Sequence, residues 1–307
     1  MLASLSTHFQ RRVIAVAVGV AVMAGGAACA RPVLPRPIPA EPIPPVAAPV
    51  PSAAPSVVMR YAIPALVTDS RYQVQSIATL ERDSTGHRDT QKLTSNAQVV
   101  VRIRRRLGGG FDATGRLYGY TVQSALSTTP VAIDSLRFDA VLDSLALRVA
   151  MQPPLVNECD RPESGALSLV RDLLIRVPAS LSVGDRWRDS TVGLVCRANL
   201  PMVVRTIADY VVIDTAHNSE DGVLLVIRRT SNAHVEGKLS SPWRSVEVTG
   251  VGTATLDALV SVRSGAVRRV HSTSTLTLTA TDRTTPSAVR TQQVTQRVTL
   301  TGVPIGS

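Results

Sequence analysis

The sequence predicts a mainly β protein built on a long, strongly curved antiparallel sheet or open barrel, with one or two short helices on its concave side. Three observations lead there. Apolar and polar residues alternate with period two, as in Ala254, Leu256, Ala258, Val260 and Val262 against Thr253, Thr255, Asp257 and Ser261, the mark of a strand with one buried face. Turn signals divide the alternating runs, among them Ser84-Thr85-Gly86-His87, Glu220-Asp221-Gly222 and Ser264-Gly265, and these suit antiparallel hairpins. Most runs also outlast the usual strand length of about 5–6 residues, which favours one extended curved sheet over a compact sandwich.

The N-terminal segment has a different character. Arg11 and Arg12 precede an uninterrupted apolar run from Val13 to Met23, the n-region and h-region of a secretion signal. The run falls short of the roughly 20 apolar residues that a membrane-spanning helix needs, so residues 1–28 read as a signal peptide. Small residues Gly25 to Ala28 lead into Cys29, and this resembles the lipobox, at which a cysteine thiol receives a diacylglyceryl group and the chain is cut just before it. Gly26 departs from that motif, where a larger aliphatic residue is usual. Cleavage after Ala30, at the small-x-small site Ala28-Cys29-Ala30, is the competing reading. Residues 29–58 then carry Pro32, Pro35, Pro37, Pro39, Pro42, Pro44, Pro45, Pro49, Pro51 and Pro55. Proline at this density fixes φ and removes donors, so the segment is expected to be an extended tether near the polyproline II geometry.

Residues 59–307 form the β domain in this reading. Val99, Val101 and Ile103 oppose Arg102, Arg104 and Arg106, and Leu276, Leu278 and Ala280 oppose Thr275, Thr277, Thr279 and Thr281. Further strands are expected over 71–82, 116–127, 185–194, 202–215, 222–234 and 288–302. Two segments break the rhythm. Gly165 to Val177 places Leu167, Val170, Leu173, Leu174 and Val177 at helical spacing before Pro178. Ser135 to Met151 is the second candidate helix, although Leu145, Leu147 and Val149 also fit a strand.

Cysteine usage bears on compartment. Three cysteines in an oxidising space leave one unpaired. With Cys29 acylated, Cys159 and Cys196 can form a disulfide, and two buried free thiols are the alternative.

Val177-Pro178, then Val183-Gly184-Asp185-Arg186-Trp187 opening a strand, together with Gly250-Val251-Gly252, Asp257 and Gly265, resemble a pattern in uncharacterised exported bacterial proteins. The likeness covers residues 170–280. That group is similar to the lipoprotein-carrier half-barrel, in which a curved antiparallel sheet wraps a helical lid. The resemblance implies a fold more than a function, since that architecture serves lipoprotein chaperones, lipid binders and sensor domains alike. The residues also have physical readings of their own. Gly184-Asp185 suits a tight turn and Trp187 a core anchor, while Gly250 and Gly252 strip side chains from one strand face, for a sheet bend or for ligand contact.

Chemistry is sparse. His87, His217, His234 and His271 are dispersed, and no metal-ligand spacing, nucleophile elbow or paired-cysteine motif is present in the sequence. No catalytic residue, metal or cofactor is assigned, and the chain is read as non-enzymatic. The net charge is +10, from 33 basic and 23 acidic residues, with Lys92 and Lys238 as the lysines. Nucleic acid is set aside as a partner, because aromatics for base stacking make up 3% of the chain. Arg102, Arg104 and Arg106 share a strand face, which serves either as a contact for an anionic lipid headgroup or as a solvated face that discourages edge pairing. The sequence thus points to an exported lipoprotein, anchored through Cys29 on the periplasmic side of the cell envelope. It is expected to hold an apolar ligand or a protein partner in its concave face, with candidate contacts at Arg102, Arg104, Arg106, Gly250 and Gly252. A structural or assembly component with a filled interior is the alternative, and an enzyme the remote one.

Overall fold

The structure, a computed structural model, describes residues 59–84, 87–124, 129–152, 163–197, 200–241, 244–282 and 289–303, within a compact unit of Met59–Ser307. Two short strands, β1 (Tyr61–Ala62) and β7 (Ser180–Leu181), pair with each other. The rest of the β structure is one large antiparallel sheet. Its N-terminal half holds β2 (Leu66–Ser84), β3 (His87–Arg105), β4 (Phe111–Ser124), β5 (Val131–Leu142) and β6 (Leu147–Gln152). After a helix, α1 (Glu163–Arg171), the C-terminal half holds β8 (Arg186–Arg197), β9 (Leu200–Asn218), β10 (Gly222–Ser241), β11 (Arg244–Ser261), β12 (Val267–Asp282) and β13 (Val289–Val303). The strand order is β6-β5-β4-β3-β2-β13-β12-β11-β10-β9-β8. Each half is a chain of sequential hairpins, and the β13–β2 ladder joins them.

The turn chemistry explains the hairpins. Between β9 and β10, Asn218 Oδ1 accepts from the amides of Glu220 at 3.1 Å and Asp221 at 2.6 Å. Gly222 then takes φ +69°, where a β-carbon would be strained. Ahead of β8, the amide of Gly184 donates to Val212 O at 2.8 Å, and Asp185 Oδ2 accepts from the Ser182 amide at 2.9 Å. This is the Gly184-Asp185 turn that the sequence indicates.

Three expectations are corrected. The sheet is neither a half-barrel nor an open barrel: it is not closed or strongly curled, and its edge strands β6 and β8 exchange no ladder hydrogen bonds. Strong curling relies on bulges, and the ladders here run in continuous register for up to 18 residue pairs. The shifts that occur lie at Val226/Ile227, Leu259/Val260, Val67/Ser70 and Asn96/Gln98. α1 packs on β8, β6 and β5, and β6 and β8 approach each other without forming a ladder. Second, Ser135 to Met151 is not a helix but parts of β5 and β6, with Leu136, Phe138, Ala140 and Leu142 buried at alternate positions. Third, the disulfide is absent among the described residues. Cys196 is held by the ladder opposite Pro201, and Cys159 lies outside those residues, as do Cys29, the signal and the tether.

One face of the sheet, called inner below, carries the main core. Val74, Val99, Val101, Leu117, Phe138, Ile227, Val260 and Val270 project into it, and α1 adds Ala166, Leu167, Leu169 and Val170. The helix is shorter than its apolar spacing suggests. Turn bonds from the amides of Leu173 to Val170 O and Leu174 to Arg171 O close it. Leu173, Leu174, Ile175 and Val177 stay buried because the chain beyond the turn still runs through the core.

Candidate functional site

The inner face of β8–β12 is ordered in transverse rows, because the ladders align every second residue. In the first row Trp187, Tyr210, Arg229, Leu256 and Ser272 lie side by side. Trp187 stacks on Tyr210 with ring centres 4.9 Å apart and donates from Nε1 to Arg176 O at 3.2 Å, the anchoring role expected of it. Arg229 occupies the apolar phase of β10, between Ile227 and Ser231. Its Nη2 donates to Asp172 Oδ1 at 2.9 Å, and Asp172 Oδ2 accepts from Ser272 Oγ at 2.6 Å. Burial alone would lower the Arg229 guanidinium, but the charge of Asp172 and hydrogen bonds to Asp172 and Tyr210 raise it overall. Burial pushes the Tyr210 hydroxyl upward. Beside this row, Arg176 Nη1 reaches Asp189 Oδ1 at 3.2 Å, and Arg171 donates to Leu194 O.

The next two rows are made of small side chains. Ala208, Ser231, Ala254 and Ser274 stand in register across four strands, followed by Thr206, Ala233 and Gly252 with Leu276. Beyond them begins a second apolar field: Leu200, Met202, Val235, Val248 and Leu278 are buried, with Val195, Val204, Leu239, Val246, Leu276 and Ala280 half-buried around them. Every one of these residues comes from β8–β12. The glycines flatten the field, since a β-carbon on Gly250 would meet Leu278 Cδ2 at 2.5 Å and Thr277 O at 2.6 Å, and one on Gly252 would meet Leu276 Cδ1 at 3.2 Å. Leucine side chains therefore lie down across the glycine positions.

The candidate residues read from sequence do not converge. Gly250 and Gly252 belong to the apolar inner face. Arg102 lies on the opposite, outer face, where its Nε meets Asp69 Oδ1 at 2.8 Å; Arg104 is exposed, and Arg106, just past β3, is paired with Asp112. The Asp172–Arg229 pair went unread, because its members are 57 residues apart. Its one signal is an arginine on the apolar phase of a strand.

The described clefts are lined by charge. One of 340 Å³ lies between Thr68, Asp221, Ser264 and Arg268. There Arg268 Nη2 donates to Asp221 Oδ1 at 2.5 Å; outside the cleft lining, Arg105 Nη2 donates to Gly265 O at 2.8 Å. Burial lowers the Arg105 guanidinium to about 10. Burial would raise Asp221, but hydrogen bonds from Arg268 and Asn218 outweigh it and hold the carboxyl below its usual range. A carboxylate depressed on folding contributes stability above its unfolded pKa of about 3.9, and that contribution is lost as pH falls through the folded value. Asp221→Asn is therefore expected to flatten the acid limb of a plot of Tm against pH; an unchanged acid limb would contradict this assignment.

Among the described residues there is no group of three or more His, Cys, Asp or Glu side chains placed to hold a metal ion. No protein-family model matches the chain, and no curated protein matches it. Among solved structures, the chain is similar to the crystal structure of an outer membrane channel from Pseudomonas putida F1. The identity is 14%, over 80% of this chain and 100% of that one, with a TM-score of 0.22. The likeness is to a channel and not to a lipoprotein carrier, and at that score it defines neither fold nor function; the chain stands as a β-sheet protein described by its own geometry.

Proposed function

We propose that this chain is an exported envelope lipoprotein, tethered through Cys29 and the proline-rich segment, that holds a lipid acyl chain against the apolar inner face of β8–β12. One observation carries the reading: every described residue of the second apolar field comes from the single sheet β8–β12, with Arg171 at the end of α1 reaching only its edge at Gly193. A sheet face of this kind needs a partner layer to be stable in water. The relief of the face suits a flexible chain, because mobile leucine and methionine side chains lie over glycines and a band of small residues borders them. The other half of the inner face favours a second reading, a structural component with a filled interior, since α1 and Leu173 to Val177 pack into its core.

Native mass spectrometry of the whole chain after mild extraction separates the two. Retained lipid on the wild type, lost in Leu276→Gln with little change in unfolding midpoint, is the expected result. A wild type that carries no lipid, and takes up no added fatty acid, overturns ligand binding in favour of the structural reading. The anchor has its own arm, in which Cys29→Ser is expected to leave the membrane fraction. If it stays there, and the wild type lacks acyl mass on its first residue, the lipoprotein assignment is wrong.

A further inference from the structure

Several arginines on the outer face of the sheet are paired with acids on neighbouring strands. Arg188 meets Asp209 at 2.6 Å, Arg228 meets Asp257 at 2.8 Å, Arg205 meets Glu236 at 3.0 Å, and Arg102 meets Asp69 at 2.8 Å. In each case the acid is supplied by a neighbouring strand, as cross-strand complementarity favours. One transverse row instead gathers arginines without acids. Arg71 on β2, Val100 on β3, Arg116 on β4 and Arg137 on β5 stand in register, and Arg116 and Arg137 face each other directly. None of these three arginine side chains has an ion pair or hydrogen bond to another described residue, and Arg116 rests over the Tyr118 ring, 5.6 Å from its centre.

Like charges directly opposite in an antiparallel pair are destabilising. Their α-carbons are about 4.5–5.5 Å apart, a spacing at which two guanidinium forks can share one tetrahedral anion. Arg116 and Arg137 open into a cleft of 440 Å³ that they line together with Arg102, Tyr118, Asp69 and Asp139, and Arg71 continues the row beyond it. Asp69 is compensated by Arg102, whereas Asp139 accepts from the neutral Gln152 and keeps its charge, so the arginines lining the cleft outnumber its carboxylates by one. Arginine matches phosphate bidentately, and charge-assisted bonds of this type are about twice as strong as neutral ones.

We propose that the Arg71–Arg116–Arg137 row binds a phosphate group, presented either by an anionic lipid headgroup or as free phosphate. This places the anion contact one row from Arg102 and away from Arg104 and Arg106. It is independent of acyl-chain binding on the inner face, since the two sites lie on opposite sides of the sheet.

The test uses the whole chain in a Cys29→Ser background, so that an N-terminal lipid cannot carry it to membranes. The probes are phosphatidylglycerol vesicles, phosphatidylcholine vesicles and inorganic phosphate. Phosphatidylglycerol binding that weakens with salt is expected, with little binding to phosphatidylcholine. The double variant Arg116→Gln/Arg137→Gln is expected to bind about tenfold more weakly while its Tm without ligand stays level or rises. Arg186→Gln/Arg269→Gln removes equal charge from other strands and is expected to bind as the wild type does. A rise in Tm with inorganic phosphate that the double variant loses assigns the site to free phosphate as well; vesicle binding without that rise assigns it to the headgroup. The proposal is overturned if the wild type responds to neither probe, if the Arg116/Arg137 double variant binds undiminished, or if both double variants weaken equally.

Discussion

Asp172→Ala is expected to lower the unfolding free energy by about 3–5 kcal/mol, the usual cost of removing one partner from a buried ion pair. The size follows from what is left behind. Arg229 projects into the core with its side chain 13% exposed, its Nε already lacks a partner, and Asp172 is its charge partner. The same carboxylate accepts from Ser272, so one side chain fastens the end of α1 to β10 and β12 at once. Replacing Arg229 with methionine removes the buried charge with the bond and should cost distinctly less, because Asp172, 28% exposed, can turn to water. Urea unfolding with an unchanged slope is the measurement. A loss below about 1 kcal/mol for Asp172→Ala would show that the pair behaves as a surface bridge.

The second large effect is expected at Phe138, where truncation to alanine should cost about 3–5 kcal/mol. Phe138 is 1% exposed, and its ring lies over Gly115 on the neighbouring strand. The glycine is required from the other side too. A β-carbon there would stand 2.6 Å from Val100 O as well as against the ring. Gly115→Ala is thus expected to cost about 1–3 kcal/mol through overpacking, and Phe138→Ala should not rescue it fully, since the Val100 carbonyl belongs to the ladder and cannot retreat. Full rescue in the double variant would show that the ring alone sets the constraint.

Much of the sheet was legible because its strands have one buried face and period two exposes that directly. The failures have physical causes. Leu136, Phe138, Ala140 and Leu142 alternate cleanly, but the following Leu145 and Leu147 fall across the turn between β5 and β6 and blur the phase into a helical spacing. Beyond Arg171, Leu173, Leu174 and Val177 continue a helical pattern by coincidence, since a segment threaded through a core is apolar on every side. Curvature could not be read at all, because it depends on where registers slip, and a one-residue slip leaves almost no mark on composition. The candidate site was legible in part. Gly250 and Gly252 lie where a flat face needs them, whereas the Arg116–Arg137 opposition depends on strand register, which links residues 21 apart in the sequence.

The place of β13 also sets an order of assembly. It lies between β2 and β12, so the last strand of the sheet to be synthesised is the one that joins the two halves. Thr301 and Val303 pair with Gln73 and Arg71 across most of the chain's length, and such long-range pairing is slow to close. A chain that emerges N-terminus first can form its two hairpin series one after the other, but β2 and β12 each keep an unpaired edge until the final strand arrives. During that interval the nascent protein presents two long open templates, and β13 closes both at once in the role of a clasp.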